Sequence, residues 1–84
     1  MELALVFGKV LRARRMEVGL TQEQLGFEAG LERNYISMLE LGQRQPTLGS
    51  LFKLAAALRV SVSELVRQTE FAAASVRSPN ATSR

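Results

Sequence analysis

The stretch that decides the fold is Gln22 to Leu41, QEQLGFEAGLERNYISMLEL. Its apolar residues Leu25, Ala29, Ile36 and Leu39 recur at helical spacings on either side of Gly30, so two short helices share one core. Helices joined by so brief a turn cross steeply. That geometry needs small residues at the crossing and a turn residue that tolerates positive φ. Gly26 meets the first need and Gly30 the second, with Leu31 completing the shared core.

Working outward, Leu3, Phe7, Val10, Leu11 and Val18 form one helical stripe, and Gly19 supplies its stop. Thr21 with Gln24 three residues on predicts a capping box for the next helix. A third helix is expected from about Glu32 to Leu41, with Gly42 as the left-handed residue past its end. Gln43 to Pro46 reads as a loop, after which Thr47 caps a fourth helix that buries Leu51, Leu54, Ala55 and Leu58. Ser61-Val62-Ser63-Glu64 reads as a full capping box, starting a fifth helix near Val62 with Leu65 and Val66. The expected fold is all-α with five helices over residues 1–70. Residues 71–84 form a C-terminal extension, partly disordered, since Ser75 to Arg84 has no apolar period.

Composition narrows the function classes. The chain has no Cys, no His and no Asp, which removes thiolate and imidazole metal ligands and the usual general base. An enzyme is not expected, nor a metal or other cofactor, and no small-molecule site is evident. The formal net charge is +3. Through Glu70, however, nine basic residues face eight acidic ones, so most of the excess sits on Arg77 and Arg84. A nucleic-acid partner must be argued from the placement of basic groups. Residues 1–7 are apolar but short, and Lys9, Arg12, Arg14 and Arg15 follow them, the reverse of a secretory signal. The expectation is a cytoplasmic protein that does not enter a membrane.

The chain resembles the lambda-repressor-like family, the XRE or Cro type of helix-turn-helix domain. The resemblance rests on Phe7-Gly8, Arg12, Arg15, Gly19-Leu20-Thr21-Gln22, Leu25, Gly30, Tyr35-Ile36-Ser37, Glu40, Gly42, Pro46-Thr47-Leu48 and Leu54-Ala55-Ala56-Ala57-Leu58. It spans roughly Val6 to Val66. It implies a transcriptional regulator similar to small phage repressors and restriction-modification controller proteins, with the third helix in the major groove of double-stranded DNA. An antitoxin-type module that binds a partner protein is the alternative. Two features depart from the family pattern: Gly26 stands where Ala is usual, which costs the helix about 0.5 to 1 kcal/mol, and Leu41 stands where a polar residue is common.

The residues support the same placement. The outward face at the start of the third helix presents Glu32, Arg33, Asn34 and Ser37, with Met38 beside them, and long polar side chains there reach base edges. Arg33 suits guanine and Asn34 suits adenine or a phosphate, whereas on composition alone both would be a solvated helix face. Glu32 either accepts from cytosine or caps its own helix; Met38 either touches a thymine methyl or fills a gap in the core.

Phosphate contacts are expected from Gln22, Ser37, Arg44 and the free backbone amides near Leu48, with Gln22 and Arg44 implied by the resemblance. Tyr35 is similarly placed, although its ring can equally pack over the turn. The resemblance also implies a structural ion pair between Arg15 and Glu40. Val62, Val66 and Phe71 leave more apolar area than one small domain needs, which makes them the candidate interface of a homodimer on a palindromic operator. The alternative is that Val62 and Val66 complete the monomer core.

Overall fold

A computed structural model describes the backbone of residues 2–82 and the side chains up to Ser75. The elements run α1 (Leu3–Val18), α2 (Gln22–Ala29), α3 (Arg33–Glu40), α4 (Leu48–Ala57) and α5 (Val62–Thr82), with no strand among the described residues. The all-α, five-helix expectation holds.

Helices α2, α4 and α5 start where a short polar side chain satisfies orphan amides, whereas Glu2 and Glu32 precede α1 and α3 without a side-chain capping bond. The Thr21 hydroxyl accepts from the Gln24 N–H at 3.0 Å, and the Gln24 side chain accepts from the Thr21 N–H at 2.8 Å. The Thr47 and Ser61 hydroxyls accept from the Ser50 and Glu64 amides in the same way. Only the hydroxyl half of the expected box at Ser61 forms, because the Glu64 carboxylate takes bonds from Arg67 at 2.8 and 2.9 Å and from Gln68 at 2.9 Å. A charged fork one turn away is a stronger partner than a neutral backbone amide. Helix α3 is one residue shorter at each end than expected: Glu32 and Leu41 flank it as caps.

Gly19, Gly30 and Gly42 take left-handed angles as anticipated. The end of α4 is different, because Arg59 holds φ 62° with no glycine. A left-handed side-chain-bearing residue costs about 1 to 2 kcal/mol. Bonds from Arg59 N–H to Ala56 O and from Val60 N–H to Ala55 O offset it, in the Schellman pattern. Arg14 of α1 adds a second closure by donating Nε and Nη2 to the Leu58 carbonyl at 3.2 and 3.0 Å.

Among the described residues seven large side chains are fully buried, Leu11, Leu25, Ile36, Leu39, Leu54, Leu58 and Leu65, and all five helices contribute. Burying each contributes about 1.5 to 3 kcal/mol. Val62 packs against this core, half-buried. Helix α5 carries on past Glu70 and stays helical to Thr82, through the stretch from Ser75 that composition led us to expect disordered. Three successive alanines, Ala72 to Ala74, have the highest helix propensity, and Thr69 and Ala73 are buried along the same face. Ser83 and Arg84 lie outside the described residues.

Two glycines let backbones touch. A Cβ on Gly8 would lie 2.5 Å from the Leu39 carbonyl oxygen and 2.6 Å from that of Glu40, so α1 rests directly on the end of α3. A Cβ on Gly26 would lie 2.6 Å from the Leu31 carbonyl oxygen. The helix propensity lost at Gly26 is therefore exchanged for a tight crossing, and an alanine there would not be a gain. Gly26→Ala should lower stability by about 1 to 3 kcal/mol in thermal unfolding, because the overlap is with backbone that cannot swing away. A raised melting temperature would mean that α2 and the turn are further apart than described.

Candidate nucleic-acid interface

The α2–turn–α3 unit is fixed from beneath by one buried carboxylate. Glu40 ends α3 at 7% exposure. Its Oε2 accepts from Arg15 Nε at 2.6 Å and its Oε1 accepts from Arg15 Nη2 at 3.0 Å. The guanidinium's third nitrogen donates to the Leu20 carbonyl at 2.8 Å, immediately before α2. The hydrogen bond to Glu40 is the main cause of an Arg15 pKa above its ordinary value, so the arginine stays charged. Gln22 adds a fourth bond, from Nε2 to Glu40 Oε1 at 3.0 Å. Arg15, Gln22 and Glu40, assigned to two different roles from sequence, thus form one network.

At the other end of α3 from Glu40, Arg33 and Asn34 open the helix and are exposed. Ser37 and Met38 are half-buried one turn further on. Glu32 precedes the helix in extended backbone, and its side chain makes no capping bond. Glu32 thus holds the N-cap position without the side-chain bond that the short side chains of Ser, Thr, Asp and Asn make there, and its charge lies at the positive end of the α3 dipole.

A second group gathers where α3 faces the start of α4. The Tyr35 hydroxyl donates to Ser50 Oγ at 3.1 Å, and the Thr47 hydroxyl donates to the same atom at 2.9 Å. Arg44 lies 5.7 Å above the Tyr35 ring, within cation–π range. The ring packs partly buried against the core, and its hydroxyl is bonded to Ser50 and not left to water as the packed alternative had it. The bond to Ser50 ties Tyr35 to the first turn of α4, which opens at Leu48. Ser50 and Thr47 were not singled out from sequence as members of this group. Thr47 was read only as a cap; the signal that could have found the pair is the Thr-x-x-Ser spacing at a helix start.

The helix-turn-helix family model matches residues 11–65, which takes in the core, the crossing and both groups. The chain belongs to this family of DNA-binding helix-turn-helix regulators, of the XRE, lambda-repressor-like type. It is 41% identical over 70 residues to an uncharacterised HTH-type transcriptional regulator, y4dJ, of Sinorhizobium fredii, covering 83% of this chain and 91% of that one. Over 65 residues it is 38% identical to the control protein C.BamHI of Bacillus amyloliquefaciens, covering 76% and 80%. Among solved structures, the restriction-modification controller protein C.AhdI of Aeromonas hydrophila superposes with a TM-score of 0.72 at 44% identity, covering 74% of this chain and 94% of that one. The family is one of transcriptional regulators and not of enzymes. No helix among the described residues is long and apolar enough to cross a membrane.

The dimer candidates are placed unequally. Val62 goes to the core, whereas Val66 and Phe71 are 46% and 70% exposed. Beside them, Leu3, Ala4, Phe7, Leu51, Val66 and Ala73 line an apolar groove of about 630 Å³.

The Arg15–Glu40 pair generates a sharp expectation, because its side chains are only 11% and 3% exposed. Arg15→Ala should cost about 2 to 4 kcal/mol by leaving a buried carboxylate without its main partner. Arg15→Lys should recover part of that, since an ammonium lacks the fork. Chemical denaturation measures both. An Arg15→Ala midpoint equal to that of the wild type would mean the pair contributes nothing.

Proposed function

We propose that this protein is a sequence-specific regulator of transcription that lays α3 in the major groove of a palindromic operator as a homodimer. The observation that carries the reading is the exposure of Arg33 and Asn34 at the first turn of a helix whose far end is pinned by a buried ion pair. Side chains on a fixed helix reach base edges without a large ordering cost. Arg33 takes guanine, Asn34 takes adenine or a phosphate, and Glu32 accepts from cytosine. Met38 reaches a thymine methyl. Gln22, Ser37, Arg44, the Tyr35 edge and the Leu48 amide hold the backbone on either side, where helix N-termini favour anions.

Arg33→Ala tests the base reading. It should leave the circular dichroism spectrum unchanged and weaken binding to a duplex selected by the wild-type protein by about 1 to 3 kcal/mol, with much less effect on a scrambled duplex. Equal losses on both would make Arg33 a phosphate anchor.

One helix-turn-helix reads a few base pairs, and two recognition helices about 34 Å apart double the readout. The surface available for pairing is Val66, Phe71 and the apolar groove between α1, α4 and α5. A second copy suits it, because one wall of the groove and the exposed Phe71 belong to the same helix, α5, so a two-fold axis can offer each to the other. Val62, half-buried against its own core, has less apolar surface to offer this interface than Val66 or Phe71. Val66→Glu should give a folded monomer in analytical ultracentrifugation that binds a palindrome no better than a half-site. A mutant that remains dimeric would move the interface elsewhere. A wild-type protein that binds no duplex but captures a protein partner would favour the antitoxin-type module.

A further inference from the structure

We infer that Glu40 is a positioning residue for the DNA backbone contact, acting through the side chain of Gln22. The inference rests on the reading of Gln22 as a phosphate contact.

The Arg15–Glu40 fork is complete without Gln22, since each carboxylate oxygen already accepts one guanidinium N–H. The extra bond from Gln22 Nε2 to Glu40 Oε1 therefore adds something the pair does not need for itself. A carboxylate only accepts, so the carboxamide must turn its nitrogen, not its oxygen, toward Glu40. That fixes both the rotamer and the flip of a side chain that would otherwise sample many states at the start of α2. The Nε2 group has two protons. One is held by Glu40, and the other is left in a defined direction for an anionic oxygen beside the N-terminus of α2. Arg15 offsets the charge of Glu40 at this spot, so the buried carboxylate orients the donor without presenting an uncompensated negative charge to a phosphate. It also fixes the turn before α2 through the Leu20 carbonyl, so the amide and the helix that carries it are set by one residue pair.

The test is a double-mutant cycle on DNA affinity with Gln22→Ala, Glu40→Gln and the double variant. The probes are a duplex selected from a random library by the wild-type protein and a scrambled duplex, measured at a temperature where circular dichroism shows every variant folded. Gln22→Ala should weaken both probes by about tenfold or more, as for one hydrogen bond to a charged group. Glu40→Gln offers Gln22 an amide of uncertain polarity in place of a carboxylate, and should weaken both probes in the wild-type background but much less in the Gln22→Ala background. Equal losses from Glu40→Gln in the two backgrounds would overturn the positioning role and leave the phosphate reading of Gln22 standing. No effect of Gln22→Ala would overturn the phosphate reading itself, and this inference with it. If Glu40→Gln does not fold, nuclear magnetic resonance on the wild-type protein decides. One Gln22 side-chain proton should be protected from exchange in the free protein and both in the complex, with the Gln22-to-Glu40 contact retained. Loss of that contact on DNA binding would overturn the inference.

Discussion

A carboxylate at Glu40 can be buried only if its charge and lone pairs are met, and meeting them dictates where three helices go. Arg15 must come from α1, its backbone must lie close enough for a guanidinium to reach, and the turn before α2 must present the Leu20 carbonyl to the same group. Gly8 lies two turns before Arg15, on the same face of α1. With no side chain there, the α1 backbone presses on the Leu39 and Glu40 carbonyls. Contact and ion pair are thus one arrangement. The glycine sets the distance and the arginine uses it.

The same logic divides what the sequence discloses from what it conceals. Helix starts at Thr21 and Thr47, stops at Gly19 and Gly30, and the core positions Leu25, Ile36, Leu54 and Leu65 depend on neighbours within one or two turns, and they were legible. Interactions that cross the chain were not. Arg14 looked like one more surface cation, yet it closes the end of α4 across a separation of 44 residues. Gly26 looked like a cost because propensity is local, while the Leu31 carbonyl it admits belongs to the turn beyond Gly30. Glu64 matched a capping box by spacing, but two other donors on the same helix claimed its carboxylate. The extent of α5 was hidden in the same way, since the burial of Thr69 and Ala73 depends on packing that composition does not report.

For the candidate site, the sequence indicated the residues and the structure their grouping. Tyr35, Arg44, Thr47 and Ser50 are tied together by side-chain bonds and stacking before any ligand arrives. Arg33 and Asn34 have no such ties and stand free at the start of α3. Groups that would hold a backbone are pre-ordered, and groups that would read bases keep room to adapt to the edges they meet.

The closure of α4 bears on a quantity set far from any base. Arg59 in a left-handed conformation, held by the Schellman bonds and by Arg14, turns the chain into α5 at a fixed angle. Helix α5 carries Val66 and Phe71, so in the proposed two-fold pair that corner would set how far apart the two reading heads stand. Arg14, a part-buried arginine on α1, would then act as a ruler: altering it would shift the preferred spacing between half-sites while leaving the sequence read within each half-site as it was.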